Sequence, residues 1–93
     1  MIENLRETLE TLDAFVDTGT LRAFCARRTL ENAVLDALIR VLRAVYPDTP
    51  ERHAAVAAVH EIRHSETATE QQRAACLIAA RLCLEGHRGS PAL

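Results

Sequence analysis

Aromatic side chains are almost absent from this sequence of 93 residues. It contains two Phe, one Tyr and no Trp, so Phe15, Phe24 and Tyr46 are its whole aromatic content. Strand-rich folds are enriched in aromatic and β-branched residues, which makes them a poor match to this composition. A core built from Leu, Val, Ile and many Ala residues instead favours helices that approach each other closely.

Lysine is absent as well, and neither sign of charge prevails strongly. All eleven basic residues are Arg, and thirteen Asp and Glu residues leave a net charge of −2. Such a weak field argues against nucleic acid or a membrane surface as a partner. No apolar run approaches the length of a membrane span, about 20 residues, and no secretion signal is recognisable. We therefore expect a cytoplasmic protein.

Cysteine and glycine are scarce, with three residues of each. Cys25, Cys76 and Cys83 are odd in number and include no Cys-x-x-Cys pair, so we expect small buried residues rather than disulfide partners. The glycines form no phosphate-binding loop, and no serine lies in a nucleophile elbow. The sequence therefore does not favour phosphate, serine or thiol chemistry.

The first two helices are predicted from apolar spacing and capping residues. Residues 2–17 carry apolar side chains at steps of three and four, and Gly19 is placed to cap this helix in the left-handed conformation. Thr20 can cap a second helix over residues 21–46, although Thr29 offers a point where that helix could split. The second helix is apolar over about half its circumference and should pack against two neighbours.

Two further helices are predicted in the second half of the chain. Thr49, followed by Pro50, indicates a helix start, and the third helix should span residues 50–64. Thr69 with Gln72 resembles a capping box for a fourth helix that ends before Gly86. Because this last helix is apolar almost all round, we expect it to be the most buried element.

These elements predict an all-α fold, a small antiparallel bundle of three to four helices. A single domain should cover residues 1–86, followed by a disordered tail over residues 87–93. The helices carry more apolar surface than one copy can cover, so we expect a homodimer. The residues predicted to form its interface are Leu5, Leu9, Leu12, Val16, Leu35, Ile39, Leu42, Leu77 and Leu84.

One short segment of the third helix, HEIRH, contains the pattern His-Glu-x-x-His. Its imidazoles lie one helical turn apart, as a pair of zinc ligands does, and its Glu could act on a metal-bound water. To that extent the segment resembles the zincin metallopeptidases. The resemblance implies zinc held by His60 and His64, with Glu61 as the catalytic base. Only Glu66 or Glu70 lies near enough to be a third ligand.

The surroundings of the motif leave several interpretations open. Arg63 and Glu66 stand where zincins have an uncharged and a hydrophobic residue, and no substrate-binding strand is predicted. His53 shares a helix face with the other two histidines, and this face could bind a metal, respond to pH or contact a partner. Ordinary exposed histidines are the simplest interpretation.

The function favoured by the sequence is therefore that of a small non-enzymatic interaction protein. An adaptor, regulator or chaperone-like protein would act through an apolar helical surface as a homodimer, with a further protein partner possible, and without a cofactor. The alternative is a zinc-binding protein or metallopeptidase that uses the His-Glu-x-x-His residues. No nucleic acid or membrane partner is expected.

Overall fold

The computed structural model describes residues 1–88 and confirms an all-α bundle of four helices. The helices are α1 (Ile2–Ala14), α2 (Leu21–Val45), α3 (Pro50–His64) and α4 (Glu70–Arg88). Short connections make successive helices antiparallel. None of the helices described has the combination of length and apolar character needed to cross a bilayer.

The predicted helix starts are confirmed by their caps. Thr20 Oγ1 accepts the N–H of Ala23 at the start of α2, and Thr49 Oγ1 accepts that of Arg52 at the start of α3. At the start of α4, Thr69 and Gln72 exchange side-chain and backbone hydrogen bonds as a capping box. Each cap satisfies backbone donors that a helix leaves without an internal partner.

The second helix is continuous, so the alternative split at Thr29 is wrong. The Thr29 hydroxyl donates to the carbonyl of Cys25, 3.1 Å away within the same helix, and does not cap a new one. Cys25 is exposed, which contradicts the expectation that all three cysteines are buried, whereas Cys76 and Cys83 are buried.

The bundle is organised around α2, which packs on all three other helices. Arg52, at the start of α3, donates to the carbonyl of Arg43 near the end of α2, so this pair is antiparallel. α4 also packs on α2 and runs parallel to it. Arg28 of α2 binds Glu70 at the first residue of α4. Within residues 1–88, α1 and α3 do not pack on each other.

The core is therefore dominated by α2, and the prediction that α4 is the most buried helix is wrong. Six α2 residues belong to the apolar core, against three in α4, where Ile78 and Leu82 remain 57% and 60% exposed. A single face of α4 is covered by α1, α2 and α3. Because α4 is apolar almost all round, its sequence did not show which face would lack a neighbour among the described residues.

The first helix ends three residues earlier than predicted. Its last residue is Ala14, and Phe15 has an extended backbone. The Asp17 carboxylate accepts the N–H of Gly19 at 2.8 Å, a local bond that competes with helix formation. Gly19 has the expected left-handed backbone, with φ of 78°, but it belongs to the turn before α2 and does not cap α1.

The fourth helix extends further than predicted. It passes through Gly86 and reaches Arg88, the last residue described, because glycine disfavours a helix by only about 1 kcal/mol and does not forbid it. Two residues of the predicted tail, residues 87–93, thus belong to α4. The rest of that tail lies outside the described residues.

The residues predicted to form a dimer interface differ in how far the single chain buries them. Leu5, Leu9, Leu35 and Ile39 are buried in the core of the single chain, so they are not available to a partner of the folded subunit. These four residues lie on the apolar faces through which α1 and α2 pack on each other. Partial burial against the same core is shared by Leu12, Leu42, Leu77 and Leu84. Val16 lies in the connection after α1 and is 77% exposed.

Candidate functional site

Three features of the bundle are candidates for function, and the first is a buried ion pair that the sequence did not predict. Arg73 Nε of α4 donates to Glu31 Oε1 of α2 at 3.0 Å, and Arg73 Nη2 donates to Asn32 Oδ1 at 2.7 Å. The Arg73 and Glu31 side chains are 3% and 4% exposed. Each charge is therefore compensated inside the protein rather than by water.

Two more arginines connect this pair to the surface. Arg27 Nε lies 3.3 Å from the second oxygen of Glu31, and Arg28 Nη2 donates to Glu70 at 2.7 Å. Every charged side chain of this cluster therefore has a partner. Because the cluster lies between α2 and α4, its role is to hold these two helices together. A sequence signal existed: Arg73 falls on the same helical stripe as Cys76 and the other core residues of α4.

The second feature is the histidine pair of the HEIRH segment, located near the end of α3. The ring centroids of His60 and His64 are 4.5 Å apart, with the ring planes inclined by 48°. Both side chains are exposed. Glu61 lines a cleft of about 480 Å³ beside the α3–α4 connection, and neither imidazole lines that cleft. The cleft that Glu61 borders is therefore not one that it shares with the imidazoles.

The proposed third ligands are not assembled around the histidine pair. Glu70 binds Arg28, and Glu66 is exposed in the connection after α3. In the part of the chain that the structure describes, no three His, Cys, Asp or Glu residues lie together as a metal-binding group. His53 also stands apart, because its Nε2 is bonded to Asp48.

The third feature is an exposed apolar surface on two adjacent helices, which we call the α3–α4 face. Ile78 and Leu82 lie one turn apart on α4 and are large apolar side chains that remain exposed. Exposed alanines surround them on both helices. The residues of the α3–α4 face are Ala55, Ala58, Ala74, Ala75, Ile78, Ala79 and Leu82.

A cleft of about 320 Å³ extends the α3–α4 face toward the end of α2. Tyr46, Ala55 and Leu82 are among the residues that line it. The Tyr46 hydroxyl forms a 3.8 Å hydrogen bond with Cys83 Sγ, and this bond, together with burial, raises the pKa of Tyr46 above its ordinary value. The tyrosine is 42% exposed, so its ring borders the cleft and remains accessible from outside.

Two charged groups on one flank of α4 are already paired within the chain. Arg81 donates to both carboxylate oxygens of Asp13, at 2.9 and 2.7 Å, and the bond holds the pKa of Asp13 below its usual value. Glu70 is paired with Arg28 on the same flank. A partner that covers the α3–α4 face need not neutralise either of these groups.

Comparison of the chain with protein-family models, with curated proteins and with solved structures finds no match.

Proposed function

We propose that this protein is a small non-enzymatic interaction module that works through the α3–α4 face, and that a second copy of the chain occupies this face. The observation that carries the proposal is the exposure of Ile78 and Leu82, at 57% and 60%. Single exposed apolar residues are common on soluble proteins, but a contiguous patch beside a cleft is typical of binding surfaces. Covering the pair would remove two large aliphatic side chains from water.

The arrangement of side chains on α4 favours a second copy because the face is complementary to itself. In two copies of α4 that pack antiparallel about a twofold axis at Ile78, Leu82 lies four positions after the axis. It then faces Ala74 of the partner subunit, which lies four positions before it. A large residue thus meets a small one twice, as closely packed helices require.

The polar residues at the ends of the face are compatible with the same arrangement. Gln71 and Glu85 lie seven positions before and after Ile78, and both are exposed. Gln71 of one copy would face the partner's Glu85, to which its amide can donate a hydrogen bond. No like charges oppose each other along this line. The residues of α4 therefore favour the antiparallel pair in both their apolar and their polar positions.

We further propose that the dimer acts in the cytoplasm as an adaptor, regulator or chaperone-like protein. The exposed thiol of Cys25 supports this location, because reducing compartments keep such thiols unpaired. A further protein partner would bind the dimer outside the paired surface of α4. Nothing in this function requires a cofactor.

The proposal is tested by placing a charge on the face and measuring self-association by sedimentation equilibrium. Leu82→Glu should weaken the dimer at least tenfold, since about 1.4 kcal/mol is lost by burying a carboxylate against the partner's alanine. Leu21→Glu is the matched control, because Leu21 is 78% exposed but lies at the first residue of α2, away from the face. It should leave association unchanged.

A second variant tests the antiparallel packing itself. Ala74→Trp fills the position that receives Leu82 of the partner subunit, so it should also disrupt the dimer while the subunit stays folded. Circular dichroism checks the helical content of each variant. If Leu82→Glu and Ala74→Trp associate as strongly as the unmodified protein, the α3–α4 face is not the dimer interface.

A further inference from the structure

The histidine pair on α3 is not used by the proposed interaction, and its geometry suggests a separate role. His60 and His64 are four residues apart on one helix, which brings their side chains to the same side of α3. Their ring centroids are 4.5 Å apart, close enough for small rotations about the side-chain bonds to direct one nitrogen of each ring at a common point. Both rings are exposed to solvent.

Among the side chains of residues 1–86, the partner of each of these two imidazoles is the other one, whereas His53 is bonded to Asp48. Arg63 lies between them in sequence, but its Nε donates to Asp36 of α2 at 3.0 Å. That guanidinium is therefore held against α2, and its charge is compensated by a carboxylate.

We propose that His60 and His64 form an open two-imidazole site for a divalent transition-metal ion, with copper(II) and nickel(II) bound in preference to magnesium or calcium. Neutral imidazole is a good ligand for copper, nickel and zinc, while magnesium and calcium prefer oxygen. Two protein ligands leave the remaining coordination positions to water or to a group from another molecule. The site therefore resembles an exposed chelate rather than a closed structural zinc site.

This site is independent of the proposed dimer. At about 100° per residue, His60 and His64 lie on the flank of α3 opposite Ala55 and Ala58, which belong to the α3–α4 face. Metal binding should consequently leave self-association unchanged, and variants of the face should leave metal binding unchanged. The metal site can therefore be disproved without disproving the dimer, and the dimer without disproving the metal site.

The test is calorimetric titration of untagged protein with copper(II) chloride in a buffer that does not chelate copper. Loss of even an outer-shell partner costs about 10–100-fold in metal affinity, so loss of one of two direct ligands should cost at least about tenfold. We expect this loss in His60→Ala and in His64→Ala. His53→Ala, on the same helix, should bind copper as the unmodified protein does.

A relocation variant separates the paired geometry from the mere number of histidines. His64→Ala combined with Ser65→His keeps four histidines but turns the second imidazole by about 100° around the end of α3. This double variant should bind copper as weakly as His64→Ala alone. If it binds as tightly as the unmodified protein, or if His60→Ala loses no affinity, the chelate does not exist.

Discussion

Arg73 of α4 and Glu31 of α2 form a hydrogen-bonded ion pair, with Nε and Oε1 3.0 Å apart, while both side chains are almost inaccessible to water. Burying a charge lowers stability unless an opposite charge compensates it, so each of these side chains offsets the cost of burying the other. Asn32 adds a 2.7 Å bond to the same guanidinium. The pair thus joins α4 to α2 inside the bundle.

Removal of one partner of this pair should destabilise the bundle more than removal of both. Glu31→Leu leaves the Arg73 guanidinium with Asn32 alone and should cost about 3–5 kcal/mol of the free energy of unfolding, measured by urea denaturation. Arg73→Leu should cost less, because Arg27 lies 3.3 Å from Glu31 and still compensates it. The double variant with Leu at both positions should be more stable than Glu31→Leu. If the loss of stability in the double variant equalled the sum of the losses in the two single variants, the two charges would not stabilise each other.

The surface ion pair between α1 and α4 should contribute stability only above the acid range. Arg81 holds the pKa of Asp13 below its usual value, so the contribution is present above the unfolded pKa and is lost as the pH falls through the folded one. Both side chains are about half exposed, and such pairs are worth about 0.2–1 kcal/mol. Asp13→Asn should therefore be less stable than the unmodified protein at neutral pH.

That difference should shrink as the pH falls through the lowered pKa of Asp13, and it should disappear in acid once Asp13 is protonated in both states. The matched control is Glu10→Gln, since Glu10 lies on the same helix and has no ion-pair partner among the side chains of residues 1–86. Its difference from the unmodified protein should be small at both pH values. A loss in Asp13→Asn that persists unchanged in acid would contradict an electrostatic origin.

The hydrogen bond between Tyr46 and Cys83 should be visible in an alkaline titration. Tyr46 is the one tyrosine of a chain without tryptophan, so tyrosinate absorbance reports this residue alone. Its hydrogen bond to Cys83 raises the pKa of Tyr46, and stability from this contact is lost as the pH rises through that pKa. Cys83→Ala should lower the pKa of Tyr46 toward its ordinary value. Cys76→Ala removes the other buried thiol of α4 and should leave the titration unchanged.

Helix capping offers a direct comparison between two threonines of α2. Thr20 caps the helix by accepting the Ala23 N–H, so Thr20→Ala should cost about 1 kcal/mol. Thr29 lies inside the same helix, where its hydroxyl bonds a carbonyl that is already used by the backbone. Thr29→Ala should not destabilise, because alanine is the better helix former. Equal losses in thermal or urea denaturation would show that Thr20 is not the cap.

The sequence predicted the helix starts better than the helix ends. Thr20, Thr49 and Thr69 carry their own signals, because a cap is a local hydrogen bond between neighbours in the chain. The end of α1 depended on whether Asp17 would bond Gly19, and the end of α4 on a glycine that a helix can absorb at modest cost. The spacing of apolar residues does not determine either of these helix ends.

The candidate site could be predicted only in part. The positions of His60 and His64 on one helix follow from their spacing, and the structure places their rings in contact. Which apolar face of α4 would lack a neighbour could not be read from its circumference, because that depends on how three other helices pack around it. Leu5 and Leu35 were assigned to an interface for the same reason, although the chain covers them itself.

The most direct test of the proposed self-association is the solution mass of the unmodified, untagged protein, measured by sedimentation equilibrium over a wide concentration range. If two copies cover Ile78 and Leu82 together, the mass should approach twice the 10.3 kDa of the chain and fall toward 10.3 kDa only on dilution. A constant mass of 10.3 kDa up to about millimolar concentration would contradict pairing through the α3–α4 face, because even a weak dimer of about 4 kcal/mol would be populated there.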